Sequence, residues 1–402
     1  MKKYNVIVTQ LNKSNYDFTK IPFDDLVRIG QRSMLYGDYF IVSWIINRFC
    51  NYKCSYCWAH GRSDTKDFRD TDLYLRTIDS IKKQARERGF NSFHFSFSGG
   101  EPTLHPGYLT ILKHLADDMP NTNNTNVHMT SNCSRNMKWF NKYVRTIQTV
   151  NSAALTCSYH REYVSAIDKR IALADKLELC QEWDINVTIN CVMVPKWFWK
   201  IYEECMYFHE RGINVTLKPQ SGHHANYIVS GYDDEMLEQL HNGMPKRTFT
   251  HFKKQIERPH NTSTSAEQWQ YSESDISRVM KDDSTVPQEI NIEFVDDKGK
   301  FWYMDESERF NAFNFNKFIG WECSSGYRSI IIREPDGSIK RSYSCKDKPL
   351  GYIFEDFKLF DKPMPCVSDS CVSSADSKIP KRKAGTKLPL WPGDDTFRVE
   401  IE

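Results

Sequence analysis

At 402 residues the chain can bury a sizeable core and divide into two or three domains. Fifty-four basic residues against 52 acidic leave a formal net charge of +2, so no strong overall field draws it to nucleic acid or an anionic membrane. No apolar run reaches about 18 residues, and Met-Lys-Lys-Tyr-Asn-Val-Ile-Val at the start lacks a signal-peptide core, so a cytoplasmic location is expected. Twelve cysteines in that setting read as metal ligands or reduced core residues, not as a disulfide framework.

Residues 1–38 are mixed and polar and read as an extension before the first core strand. From Tyr39 apolar β-like runs alternate with helical stretches, the pattern of βα units around a parallel sheet. Strands are predicted at 39–46, 92–98, 127–131, 153–158, 185–193 and 213–218, and helices at 71–89, 107–118, 136–148, 161–182 and 199–211. Six such units fit an α/β fold of the partial (β/α)6 barrel type, expected over 39–232. Ligands of such sheets bind at the carboxyl ends of the strands.

The first strand runs into Phe49-Cys-Asn-Tyr-Lys-Cys-Ser-Tyr-Cys-Trp58. Cys50, Cys54 and Cys57 can curl around one soft metal centre without help from distant chain. Three ligands are one too few for a closed site, so an iron of a [4Fe-4S] cluster would stay open. A zinc knuckle completed by His60, or three unrelated buried cysteines, are the competing readings. The second strand leads into Gly99-Gly-Glu-Pro102, where glycines permit close backbone approach and a carboxylate stands at the rim. The third ends in Thr130-Ser-Asn132 and the fourth in Cys157-Ser-Tyr-His160. The sixth leads to Lys218, then His223 and His224.

The C-x3-C-x2-C loop, with Tyr56 before its last cysteine, resembles the motif of the radical S-adenosylmethionine (radical SAM) superfamily. The Gly-Gly-Glu-Pro segment one strand later strengthens the resemblance. It implies a [4Fe-4S] cluster on Cys50, Cys54 and Cys57, with SAM chelated by the open iron and split by one electron to a 5'-deoxyadenosyl radical. It further implies SAM contacts from Tyr56, Gly99, Gly100 and Glu101. By position Ser131, Asn132, Ser158 and Asn190 are added as SAM contacts. His160, Lys218, His223 and His224 are candidate substrate contacts or proton acceptors. A flavodoxin- or ferredoxin-type electron donor is the partner the resemblance implies. Cys133, Cys157, Cys180, Cys191 and Cys205 read as small buried hydrophobes.

Residues 233–320 read as a connecting segment, helical or irregular to 285, with a surface loop at Thr262-Ser-Thr-Ser-Ala and a hairpin turning at Lys298-Gly299. Cys323, Cys345, Cys366 and Cys371 follow, around Ser329-Ile-Ile-Ile-Arg, the turn Pro335-Asp-Gly337, a strand over 338–344 and Leu350-Gly-Tyr-Ile353. A hairpin is expected to set the first two thiols on neighbouring strands. Four thiolates suit a closed [4Fe-4S] cluster or a structural zinc. Residues 321–378 resemble the SPASM and twitch auxiliary-cluster extensions, the shorter twitch form fitting four cysteines. Residues 379–402 read as a tail, with Lys381-Arg-Lys383 a solvated end.

The expected activity is hydrogen abstraction from a carbon of a small molecule, possibly sugar- or nucleotide-linked, with net oxidation. Peptide or protein modification is the alternative, since residues 1–38 are too few for a leader-binding domain yet some peptide maturases lack one. A non-catalytic zinc protein is the competitor from another class. Balanced charge and the lack of an RNA-binding module count against an RNA-modifying enzyme.

Overall fold

The computed structural model describes residues 23–30, 39–57, 62–117, 124–222, 228–245, 292–304, 316–371, 376 and 378–390. Its larger sheet contains the six expected strands: β2 (Tyr39–Asn47), β3 (Ser92–Gly99), β4 (Thr125–Ser131), β5 (Ser152–Tyr159), β6 (Asn186–Met193) and β7 (Asn214–Pro219). All six are parallel and adjacent in chain order. Between and after them lie α1 (Thr71–Arg86), α2 (Tyr108–Ala116), α3 (Met137–Thr146), α4 (Arg161–Val164), α5 (Ile167–Glu182), α6 (Phe198–Glu210) and α7 (Asp234–Asn242). The helix predicted over 161–182 is two helices, because Ala166 is extended (φ −69°, ψ 142°) and starts the second one.

Period-two patterning sets the two faces of this sheet. On β3, Phe93, Phe95 and Phe97 are buried among the helices, while His94, Ser96 and Ser98 turn to the concave side. β4 alternates in the same way, with Val127 and Met129 outward and His128 and Thr130 inward. The core is therefore the apolar layer between sheet and helices, and the concave lumen is polar.

Three further strands extend the sheet beyond β2: β11 (Ser329–Arg333), β12 (Ser338–Lys340) and β13 (Gly351–Tyr352). β11 pairs parallel with β2, placing Ile330 beside Val42 and Ile332 beside Trp44. The isoleucine run Ile330–Ile332 is buried on both faces, as an interior strand of a parallel sheet requires. The sheet thus has nine strands in the order β13-β12-β11-β2-β3-β4-β5-β6-β7 and stays an open, partial barrel. Arg69, just before α1, ties down the end of β11 through Glu334 at 2.7 Å, which also accepts from Tyr74 at 3.2 Å.

A second, antiparallel sheet has the order β14-β10-β15-β1-β8-β9. Its strands are β1 (Leu26–Gly30), β8 (Ile292–Asp296), β9 (Phe301–Met304), β10 (Glu322–Cys323), β14 (Met364–Pro365) and β15 (Lys381–Arg382). β8 and β9 form the hairpin expected around Gly299, whose φ is +83°. The N-terminal extension thus supplies a core strand, β1, which joins β8 to β15 across the chain's two ends. Arg28 on β1 is fully buried and bonded to Glu293 at 2.9 Å. Lys381 is not at a solvated end: it lies within this sheet at 1% exposure. Among the described residues no helix is long and apolar enough to cross a membrane.

Candidate active site

Cys50, Cys54 and Cys57 stand in the loop that leaves β2, at the carboxyl rim of the sheet. Ser63 closes the base of this loop, accepting from the Cys50 amide and donating to Arg48 O at 2.6 Å. The next strand end holds it from the other side: the Gly100 amide donates to Asn47 O at 3.0 Å and the Glu101 amide to Phe49 O at 2.8 Å. Both glycines are required by this contact of chain on chain. A Cβ on Gly99 would stand 2.1 Å from Asn47 O, and one on Gly100 2.3 Å from Arg48 O.

The Glu101 carboxylate has no exposed surface and is fully engaged. One oxygen accepts from Thr103 N at 3.1 Å, Thr103 Oγ1 at 2.6 Å and Ser131 Oγ at 2.8 Å; the other accepts from Asn132 N at 2.6 Å. Burial pushes this carboxyl above its ordinary range, while the four donors pull it back. Glu101 and Ser131, expected as SAM contacts, also tie the ends of β3 and β4 together. Asn132 extends the tie to the loop, its Nδ2 donating to Asn51 Oδ1 at 3.0 Å and lying 3.8 Å from Cys50 Sγ.

A third support was invisible in the sequence. The short helix α4 grips the cysteine loop: the Ser55 amide donates to Glu162 Oε2 at 2.9 Å, with a second bond from Ser55 Oγ to the same carboxylate. Tyr163 stacks on Tyr52 with ring centroids 4.0 Å apart and planes 3° apart, and its hydroxyl accepts from the Lys53 amide. His160, at the cap of α4, shares a 2.7 Å hydrogen bond with the Tyr56 hydroxyl through Nδ1. Burial pulls the His160 ring down to about 4, so it is neutral at pH 7.

Burial also raises all three thiols, Cys54 to about 12, and Cys50 and Cys57 each add to the upward shift of Cys54 as negative neighbours. A positively charged metal core would offset the cost of ionising thiols that burial holds neutral. Among the described residues no three His, Cys, Asp or Glu side chains are gathered tightly enough for a single metal ion. In a cluster each thiolate binds its own iron, so three thiols need not meet at one ion. Three thiols can bind three irons of a [4Fe-4S] cluster and leave the fourth without a protein ligand, whereas a zinc knuckle would also need His60, which lies outside the described residues.

The remaining rim residues fall as follows. Ser158 and Asn190 are in register on β5 and β6 and share the concave face with Thr216. Lys218 lies on the same face of β7, half-buried beside Val192. His60, His223, His224 and the loop at Thr262 lie outside the described residues. Deeper in the lumen, His128 Nδ1 meets Ser96 Oγ at 2.8 Å and its Nε2 meets Thr156 Oγ1 at 2.8 Å. His94 is parallel to it at 6.4 Å, and its Nδ1 has no hydrogen-bond partner among the described residues. In the sequence these two histidines belong to no motif. Their signal was a polar face alternating with the phenylalanines of β3.

The second cysteine set does not lie on one hairpin. Cys323 is on β10 of the six-stranded sheet, whereas Cys345 follows β12 of the nine-stranded one. The strand expected to 344 stops at Lys340, and the chain beyond it is drawn away by Asp376, which accepts from the Ser344 amide at 2.7 Å. Cys323, Cys345, Cys366 and Cys371 are all buried. A hydrogen bond from Cys371, with Lys381 and Arg341 nearby, holds Cys366 below the ordinary thiol range. Cys133, Cys157, Cys180, Cys191 and Cys205 are buried in the main core.

Three thiols at the strand rim of an open half-barrel could hold a [4Fe-4S] cluster and leave one of its irons open. Residues 44–207 match the model of the radical SAM superfamily, and over that span the chain carries a radical SAM domain. That family implies SAM and a [4Fe-4S] cluster. No curated protein matches the sequence. Among solved structures, native anSMEcpe with bound AdoMet gives a TM-score of 0.43 at 15% identity, over 79% of this chain and 79% of that one. Native anSMEcpe with bound AdoMet and Kp18Cys peptide gives 0.44 at 14%, over 79% and 78%. A histidine-tagged anSMEcpe with bound AdoMet gives 0.34 at 19%, covering 44% of this chain and 50% of that one.

Proposed function

We propose that this chain is a radical SAM enzyme that cleaves SAM reductively and abstracts hydrogen from a carbon of a polar small molecule, giving a net oxidation. Bound at Cys50, Cys54 and Cys57, the cluster would supply the electron that breaks a carbon–sulfur bond of SAM. The protein's part is positioning. Ser63, Gly100, Glu101 and α4 hold the thiol loop from three sides, and the strand ends offer backbone and the Ser158 and Asn190 side chains to the rest of SAM.

The polar lumen is the observation that carries the substrate class. Side by side across the concave face run Thr130, Thr156 and Thr188, then Ser158, Asn190 and Thr216, with the Ser96–His128–Thr156 chain below. Such a wall matches a hydroxyl-bearing substrate, because an apolar one would leave these groups without partners. His160, neutral at pH 7, is a candidate to receive the proton that an alcohol loses on oxidation, with Lys218 a candidate substrate contact. Cys323, Cys345, Cys366 and Cys371 are proposed to hold an auxiliary [4Fe-4S] cluster that accepts the second electron. Four buried thiols beside the buried cations Lys381 and Arg341 support it, since a thiolate-bound cluster carries net negative charge.

Anaerobic purification with iron and sulfide analysis, followed by dithionite and SAM with mass-spectrometric detection of 5'-deoxyadenosine, tests the reading. About eight irons per chain are expected for two clusters, with deoxyadenosine lost in Cys54→Ala and kept in Cys366→Ala. Zinc without SAM cleavage would refute it.

A further inference from the structure

Charge is balanced over the whole chain but not along the segment that contains α3. Between residues 102 and 161 there are six basic residues, Lys113, Arg135, Lys138, Lys142, Arg145 and Arg161, and only two acidic ones, Asp117 and Asp118. Asp117 is taken by Lys113 at 2.7 Å at the end of α2. Helix α3, which follows the β4 rim, has no acidic residue at all. Its Lys138, Lys142 and Arg145 are exposed and make no ion pair among the described residues. They sit at i, i+4 and i+7 on one helix face, a stripe about 10 Å long.

This stripe begins at the thiol loop. A cleft of about 490 Å³ is lined by Asn51, Ser134, Arg135, Lys138, Trp139 and Lys142 among others. Arg135 is fixed in its wall by two bonds to Thr103 O at 2.7 and 2.9 Å. Asn51 Nδ2 donates to Ser134 Oγ at 3.0 Å, while Asn51 Oδ1 accepts from Asn132, whose Nδ2 is 3.8 Å from Cys50 Sγ. Only two amide side chains therefore separate the cleft from a thiol of the cluster site.

We propose that the cleft and the basic face of α3 are the docking surface for an acidic electron-donor protein. The proposal rests on the radical SAM reading, since a cluster that splits SAM must receive one electron from outside each turn. One electron passes from the donor's reduced flavin or cluster to the cluster of this chain, and no bond is made or broken at the surface. The stripe is too long for a small anion and lies where the transfer path is short. Unpaired cations of one sign raise the encounter rate with an acidic surface and lose that effect in salt.

The test uses the cluster-loaded full chain, wild type and the double variant Lys138→Glu/Lys142→Glu. A reduced flavodoxin of strongly negative net charge and dithionite serve as alternative reductants. The expected result is a fall of about tenfold or more in flavodoxin binding and in its reoxidation rate at about 20 mM salt, vanishing near 500 mM. Dithionite-driven deoxyadenosine should be the same in both proteins. Equal flavodoxin binding and rates, with dithionite chemistry intact, overturn the docking surface alone. No dithionite-driven cleavage in the wild type overturns the enzymatic reading with it. Binding of a mixed-sequence single-stranded RNA that the variant loses, with flavodoxin unaffected, gives the surface to nucleic acid and overturns the proposal.

Discussion

Replacing Glu101 by glutamine separates a structural tie from a ligand contact. The amide oxygen can keep the three bonds from Thr103 and Ser131, but its NH2 then faces the Asn132 amide, which now donates to a carboxylate oxygen at 2.6 Å. A charge-assisted bond of about 1.5–3 kcal/mol is lost, and the buried Asn132 N–H is left unsatisfied at about 1–3 kcal/mol more. Relief from burying a charge returns part of this, so about 3 kcal/mol of local stability should go. Hydrogen exchange of the Thr103 and Asn132 amides reads that loss directly, as a rate increase of about 100-fold. Iron retention by Cys50, Cys54 and Cys57 should weaken in parallel. Unchanged exchange together with lost SAM affinity would refute the reasoning and hand the carboxylate to SAM.

Further outcomes follow from the same geometry. Gly100→Ala should lower both iron content and thermal midpoint, because its Cβ would meet the backbone oxygens of Arg48 and Phe49 at 2.3 and 2.4 Å, neither of which can swing aside. Tyr163→Ala removes the ring stacked on Tyr52 and the acceptor of the Lys53 amide; cluster loss to a chelator should quicken about tenfold with the circular dichroism spectrum unchanged. His94 and His128 are pulled down by burial to about 3 and about 4. Between those values and the unfolded value near 6.5 the unfolded chain binds the extra protons, so stability is full above about 6.5 and falls on acidification. Each histidine contributes a slope of about 1.4 kcal/mol per pH unit in that window, and His94→Gln/His128→Gln should flatten a denaturation series from pH 6.5 to 4.5.

Much of the barrel was legible because its signals are local. The alternation of Phe93, Phe95 and Phe97 with polar residues marks a strand wherever it sits, and three thiols within eight residues need no distant partner to be recognised. The role of Glu101 was legible only in part: its place at a rim was evident, but its four donors come from the next turn and the next strand. The α4 clamp was hidden because Glu162 and Tyr163 lie more than a hundred residues from the loop they hold. His94 and His128 are ordinary strand polars in the sequence, and only the pairing of β3 with β4 brings their rings within 6.4 Å of each other.

The sequence by itself determined the order of βα units, the thiol loop and the glycine turn beside it, since periodicity and spacing act within a few residues. Only the tertiary structure decided that Ile330–Ile332 extends the barrel sheet beyond Tyr39–Asn47, and that Leu26–Gly30 and Lys381–Arg382 meet in a second sheet. Strand partners are chosen by which buried edges remain to be covered, and that depends on the whole chain at once. The same holds for the basic face of Met137–Thr146: the sequence shows its charges, but only the fold sets Lys138 and Lys142 in one cleft with Asn51 of the thiol loop.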